Sequence, residues 1–289
     1  MNRWVAGARP RTLPAAVVPV VVGTAAAVGE SSAGISWWRV AAAMVVALAI
    51  QVFTNYQNDY ADGVRGTDER RVGPVRLVAG GLATANQVRV ATLVAGLVAA
   101  AVGVALAVAV GPELLVVGVA SLAAGYFYTG GPRPYGYAGF GELFVFTFFG
   151  VVATVGSAYV QCERITGIAF GAAVPVGLLA TALLVVNNLR DIPTDAVSGK
   201  RTLAVRIGEG PTRVLYTALL AGAFATLPLL ALRRPWSLLA LLALPVAASP
   251  LRRIGGGTSG PALVPVLADT GRLQLAFGAL LAVGLAVSV

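Results

Sequence analysis

Apolar runs follow one another along this chain with so little charge between them that few folds remain open to it. Candidate spans cover Pro14–Val28, a run from Trp37 into a polar stretch at residue 55, Gln87–Val110, and a run from Gly111-Pro112 to about Tyr128. Further runs cover Phe140–Val160, Ile165–Asn187, Val214–Leu232, Trp236–Leu251 and Leu273–Val289. Most lie near the roughly 20 residues that a bilayer-spanning helix needs, the last two being short. Only 11% of the residues are charged and 57% are apolar, whereas soluble domains carry about 25% charge. The expectation is an all-α polytopic membrane protein of about nine transmembrane helices, built as two four-helix pseudo-repeats plus a ninth helix. Residues 1–289 are expected to form one integral-membrane domain.

The net charge of +9 is the positive-inside bias of such a protein together with attraction to anionic lipid. No basic run with interleaved aromatics stands clear of the apolar segments, so nucleic acid is not an expected partner. With nine spans and the N-terminus inside, seventeen of the 21 basic residues fall on one side, leaving Arg39, Arg164, Arg233 and Arg234 on the other. That puts the expected site on the cytoplasmic side of a cell (inner or plasma) membrane. The Met-Asn-Arg-Trp start lacks a signal-peptide cleavage pattern, so the first apolar segment is expected to be retained. Cys162 is the lone cysteine and histidine is absent, which removes disulfides and every His-based triad, metal site or general base.

Two polar stretches interrupt the apolar pattern. The first, Asn55–Asp68, holds Asn55, Asn58, Asp59, Asp62 and Asp68. On a helix Asn55, Asp59 and Asp62 share one face. The second, Asn187–Thr202, sets Asn187, Asp191 and Asp195 at i, i+4 and i+8, with Pro193 predicting a kink or an end to the helix there. The two clusters lie 132 residues apart, from Asp59 to Asp191. Carboxylates at a helix C-terminus are disfavoured by the macrodipole by about 0.3–1 kcal/mol each, so placing several there twice requires a compensating cation. Carboxylate and Asn oxygens select a hard cation such as Mg²⁺, which usually shares its shell with substrate phosphate. Arg65, Arg76, Arg190, Lys200 and Arg201 stand nearby to complete an anion site, and Lys200 is the only lysine in the chain. Acids holding metal with bases beside them describe a diphosphate clamp.

A chain without a neutral strong base suits departure of diphosphate from an allylic carbon, where metal and cations stabilise the leaving group. Aromatic walls would shield the carbocation through cation–π contact; candidates are Tyr126, Tyr128, Phe144, Phe146, Phe148 and Phe149.

Over essentially its whole length the chain resembles the UbiA-type intramembrane aromatic prenyltransferases. The resemblance is carried by Asn55–Asp68, by Asn187-Asn188-Leu189-Arg190-Asp191 through Asp195, and by Gly199-Lys200-Arg201-Thr202-Leu203. Arg9-Pro10-Arg11-Thr12, Gly73-Pro74-Val75-Arg76, Gly131-Pro132 and Gly141-Glu142-Leu143-Phe144 are most similar to the menaquinone branch, which prenylates 1,4-dihydroxy-2-naphthoate. The resemblance implies helices around a central cavity, with Mg²⁺ on Asp59, Asp62, Asp191 and Asp195 assisted by neighbouring Asn residues such as Asn58. Asp68 lies six residues beyond Asp62, a wider spacing than the superfamily's usual four. Asp59, Asp62, Asp191, Asp195 and Lys200 would be catalytic. Asn55, Asn58, Arg65, Arg76, Asn187, Asn188, Arg190 and Arg201 would hold diphosphate. Tyr126, Tyr128, Glu142, Phe144 and Phe148 would meet the prenyl chain or acceptor. The implied reaction joins a polyprenyl group to the naphthoate ring with loss of CO₂ and diphosphate, giving demethylmenaquinone. Other acceptors (4-hydroxybenzoate, homogentisate, haem, chlorophyllide) remain open on the residues alone. So does a cation transporter that binds its ion on intramembrane acids.

Overall fold

A computed structural model describes residues 2–67 and 76–289. The candidate ligand Asp68 and the Gly73-Pro74-Val75 part of one signature lie outside the described residues. The described chain is helical, in the order α1 (Arg3–Gly7), α2 (Pro14–Ala27), α3 (Trp37–Arg65), α4 (Ala85–Val110), α5 (Glu113–Phe127) and α6 (Gly141–Cys162). There follow α7 (Gly167–Val197), α8 (Leu203–Ile207), α9 (Glu209–Ala231), α10 (Pro235–Gly255) and α11 (Val264–Val287). Among the described residues seven helices are long and apolar enough to cross a membrane, and an eighth if the bent pair Arg3–Thr12 and Pro14–Ala27 is one span. The exact count of nine is not confirmed among the described residues. The remaining segment, α5, has 15 residues and rises only about 22 Å, short of a hydrocarbon core of about 30 Å.

Two boundaries differ from expectation. Pro193 neither ends nor breaks α7, which runs on to Val197; a proline near a helix end removes one N–H while the flanking turns continue. The expected Arg252–Arg272 loop is mostly helix: α10 extends to Gly255 and α11 begins at Val264. Thr84 opens α4 with a reciprocal capping box to Gln87, satisfying two otherwise orphan N–H groups. Gly66, at φ 72°, closes α3 in the left-handed conformation that favours glycine.

α7 runs through the buried core, flanked by α6, α9, α2 and α11, while α3 and α4 pack along each other at one side. Lipid is as apolar as the helix surfaces, so close van der Waals contact between small residues drives this packing. A Cβ at Gly150, in the π-helical segment Phe146–Val152 of α6, would stand 2.5 Å from Cα of Gly177 on α7.

The two ends of the bundle differ. At the N-terminal end of α3, Arg39 pairs with Glu163 at 2.9 Å, and Arg164 and Arg234 meet Glu30 at 2.7 and 3.4 Å. These belong to the basic residues the charge count sets apart. Both acidic stretches lie at the other end, the twenty residues from Arg39 to Asp59 rising about 30 Å.

Candidate active site

Because α3 continues beyond its apolar stretch, Asn55, Asp59 and Asp62 ride on one helical face and are buried. α7 does the same for Asn188, Asp191 and Asp195, and Arg190 is buried beside them. Both faces open on one cavity of about 1230 Å³, lined at its polar end by Asn55, Asn58, Asp59, Asp62, Arg76, Asn187, Asn188, Arg190, Asp191, Asp195 and Lys200.

Asp59, Asp62 and Asp191 are each met by a base. Asp59 receives Arg9 and, at 2.5 Å, Arg76, while its second oxygen accepts the backbone N–H of Leu77 at 3.1 Å. Asp191 is held by its neighbour Arg190 through two bonds of 2.7 and 2.8 Å, and Arg190 also donates to Asn187 Oδ1 at 2.9 Å. Asp62 accepts from Lys200 Nζ at 2.7 Å and from the Tyr137 hydroxyl at 2.5 Å. The Lys200–Asp62 pair joins residues 138 apart and ties the two acidic stretches into one site. Burial, and then the charge of Asp62, push the Tyr137 phenol above its ordinary range, so it stays a neutral donor. The Lys200 ammonium also lies 5.0 Å from the Tyr137 ring centre, a cation–π contact.

Among the described residues no three acidic side chains gather into a preformed metal cluster. The donor set nonetheless suits a hard divalent cation that arrives with diphosphate. Every candidate ligand is a carboxylate or amide oxygen. Among the described residues five basic ones (Arg9, Arg11, Arg76, Arg190, Lys200) face four acids (Asp59, Asp62, Asp191, Asp195) around the cavity, a formal charge of +1. A prenyl diphosphate carrying one divalent cation brings about −1, since each phosphate oxygen charge counts at this site.

Sequence reasoning passed over Arg9 as a site residue. It sits at φ 54°, left-handed although not glycine, and directly before Pro10, where this conformation is uncommon. Such strain persists where surrounding contacts over-determine it: Arg9 holds Asp59 and the Asn55 carbonyl, and its own carbonyl accepts from Thr12 Oγ1 at 3.0 Å. The 54° bend between the two halves of the first span brings these groups onto α3. Tyr137 was equally hidden, in a turn legible only as Gly/Pro/Tyr-rich.

Other candidates lie elsewhere than the sequence reading put them. Arg65 does not line the cavity; it donates to the carbonyls of Thr129 and Gly131 and stacks on Tyr137, bracing that turn. Arg201 is exposed, its backbone N–H bonded to Tyr137 O at 3.0 Å. Tyr126 is exposed and packs edge-on to Phe127. Phe146 packs toward Gly177 and away from the cavity. Glu142 is buried behind the wall, accepting from Asn188 Nδ2 at 3.0 Å, with its other oxygen unpartnered among the described residues. Asn58 accepts from Thr129 Oγ1 at 2.8 Å. Tyr128, Phe144, Phe148 and Phe149 do line the cavity, and Tyr135 stacks on Phe144 at 3.9 Å with Phe148 beyond it at 6.0 Å.

The UbiA prenyltransferase family profile matches residues 16–254, which span both acidic stretches. The chain belongs to the UbiA prenyltransferase family. It is 48% identical to a 1,4-dihydroxy-2-naphthoate octaprenyltransferase of Mycobacterium tuberculosis, over 98% of this chain and 97% of that one. It is 34% identical to the protein of the same name from Escherichia coli, over 99% and 95%. Among solved structures it shares its fold with an apo UbiA homologue from Aeropyrum pernix, at TM-score 0.71 and 13% identity over 98% of both chains. A UbiA homologue from Archaeoglobus fulgidus bound to GPP and Mg²⁺ aligns at TM-score 0.68 and 14% identity, over 99% of this chain and 100% of that one. This UbiA-family chain is a multi-pass membrane prenyltransferase.

Proposed function

We propose that the protein transfers a polyprenyl group from a polyprenyl diphosphate to 1,4-dihydroxy-2-naphthoate, releasing diphosphate and CO₂ and forming demethylmenaquinol, the hydroquinone form of demethylmenaquinone. The observation that carries the reading is the Lys200–Asp62 pair, which brings two acid-and-base clusters to face one another over a single long cavity. The acceptor is drawn from near-full-length relatives of that name. Residues 1–289 act as one domain in a cell membrane, with the polar mouth of the cavity facing the cytoplasm.

Asp59, Asp62, Asp191 and Asp195 are the groups that would hold Mg²⁺, with Asn58 at hand. When bound, the ion would neutralise charge on the departing diphosphate. Arg9, Arg76, Arg190 and Lys200, released from their carboxylates, bind and orient the diphosphate oxygens through charge-assisted bonds. Tyr137 keeps its proton and holds Asp62 in place. As the C1–O bond breaks, positive charge grows at C1 beneath the Tyr135–Phe144–Phe148 stack, whose ring faces stabilise a cation and exclude water. The ring carbon bearing the carboxylate attacks C1, and the electrons of the C–CO₂ bond restore the aromatic ring as CO₂ departs. No protein base is required, in keeping with a chain that has no histidine.

Purified protein supplied with polyprenyl diphosphate and Mg²⁺ should consume dihydroxynaphthoate and release CO₂. Turnover of 4-hydroxybenzoate but not of dihydroxynaphthoate would overturn the acceptor assignment.

A further inference from the structure

At the charged end of the cavity acids and bases hold one another, but the aromatic side keeps hydrogen-bonding groups that no described residue takes up. Glu142, in the first turn of α6, is buried at 8% exposure, and its Oε1 accepts from Asn188 Nδ2 at 3.0 Å. Its Oε2 is sealed off and has no partner among the described residues. Such an orphaned oxygen is costly, and packing alone would be served better by an apolar side chain. A carboxylate oxygen accepts and does not donate, so Glu142 holds the Asn188 amide with Nδ2 turned toward it. The other end of that amide, Oδ1, makes no hydrogen bond among the described residues and, unlike Glu142 Oε2, is not sealed off. Asn188 lines the cavity and Glu142 does not, so Oδ1 opens on the cavity.

The neighbouring groups define what fits there. Tyr128 also lines the cavity. A Cβ at Gly141, the residue before Glu142, would stand 3.4 Å from the Tyr128 ring and 3.6 Å from its hydroxyl, so that hydroxyl reaches the same corner. Phe144, two residues beyond Glu142, stacks with Tyr135 and Phe148. An amide oxygen and a phenol beside stacked ring faces complement an aromatic ring that carries a hydroxyl. A diphosphate oxygen does not suit Oδ1, because both atoms only accept.

We infer that Asn188 selects the acceptor by taking the hydrogen bond of its 4-hydroxyl on Oδ1, and that Glu142 is the positioning residue that keeps the amide turned that way. The inference rests on the prenyl-transfer reading with dihydroxynaphthoate as acceptor. The 1-hydroxyl adjoins the carboxylate and bonds to it, which leaves the 4-hydroxyl for the protein. That hydroxyl is meta to the attacking carbon, so removing it scarcely changes the carbon's nucleophilicity and a lost rate reports recognition. A site built to bond a hydroxyl discriminates against the analogue that lacks it, because its own polar group is then left unpaired.

The test compares dihydroxynaphthoate with 1-hydroxy-2-naphthoate in wild type, Asn188→Leu, Glu142→Leu and Glu142→Gln. Wild type should favour the dihydroxy acceptor by about tenfold or more in kcat/KM. The leucine variants should cut that preference to about threefold or less, the loss of one hydrogen bond. Glu142→Gln, which still offers Nδ2 an oxygen, should keep most of the preference. KM for the prenyl diphosphate and the Mg²⁺ concentration for half-maximal rate should stay near wild type throughout. Should a leucine variant fail to accumulate in the membrane, alanine at the same position takes its place. Wild type that uses both acceptors equally overturns the inference without any variant. So does an unchanged preference in an active variant of Asn188 or Glu142. A raised Mg²⁺ requirement or diphosphate KM with the preference intact overturns it as well, by making Asn188 a metal or diphosphate ligand. Wild type inert toward dihydroxynaphthoate overturns the acceptor reading itself, and the inference with it.

Discussion

Lys200→Met removes a cation that ties the α7–α8 connection to α3. In the intact protein the ammonium sits 2.7 Å from Asp62, with side-chain exposures of 9% and 3%, so neither charge is substantially solvated. Deleting one partner of such a pair leaves the other charge buried, at a cost of about 3–5 kcal/mol. Asp62 keeps the Tyr137 hydroxyl and can take up a proton or water from the cavity, so the lower end, about 3 kcal/mol, is expected. With a slope of roughly 2–4 °C per kcal/mol for a chain of this size, thermal unfolding in detergent should shift down by about 6–12 °C. The double variant Lys200→Met, Asp62→Asn removes the orphaned charge and should recover most of that loss, a coupling of at least about 2 kcal/mol in the cycle. Turnover should be lost in both. A Lys200→Met protein melting within about 2 °C of wild type, or additive behaviour in the cycle, would refute the claim that this pair joins the two clusters.

Asp59→Asn and Asp191→Asn should each abolish turnover while the protein still inserts, as read by membrane fractionation beside a prenyl-transfer assay; wild-type rates in both would sink the metal-clamp reading. Arg76→Ala should raise KM for polyprenyl diphosphate about tenfold or more through loss of a charge-assisted bond, whereas Arg65→Ala should lower thermal stability with little change in that KM. Tyr137→Phe should lower kcat/KM about fivefold to tenfold, one hydrogen bond's worth. In the wild type that phenol, raised by burial and by Asp62, stays protonated above its ordinary range, so the rate should show no titration of it through pH 10. Gly150→Val places a side chain where Cα of Gly177 lies 2.5 Å from the added Cβ and should destabilise by about 1–3 kcal/mol, measured as a fall of several degrees in melting.

Apolar run length by itself determined the class of fold and the position of nearly every helix, because a segment in lipid must satisfy its own backbone hydrogen bonds and only a helix of sufficient length can. The exact number of spans it leaves unconfirmed, because run length reports apolarity whereas the length wound into helix is a separate quantity: Glu113–Phe127 is apolar and has 15 residues. The i, i+4 and i+7 spacing of Asn55, Asp59 and Asp62 also fixed their common face in advance, since helical periodicity is local.

The partners across the cavity were not legible. Nothing near residue 59 announces Arg9, fifty positions away, because its approach depends on a bend between α1 and α2 and on a left-handed residue held by tertiary contacts. Arg65 lies within the first acidic stretch and Arg76 just beyond it, and they look alike in sequence, yet one braces a turn of carbonyls and the other meets Asp59. The asymmetry is physical: period and hydropathy act between neighbours along the chain, while a site made of compensating charges exists only where packed helices bring distant residues within a few ångströms. Only the tertiary structure could decide which base answers which acid.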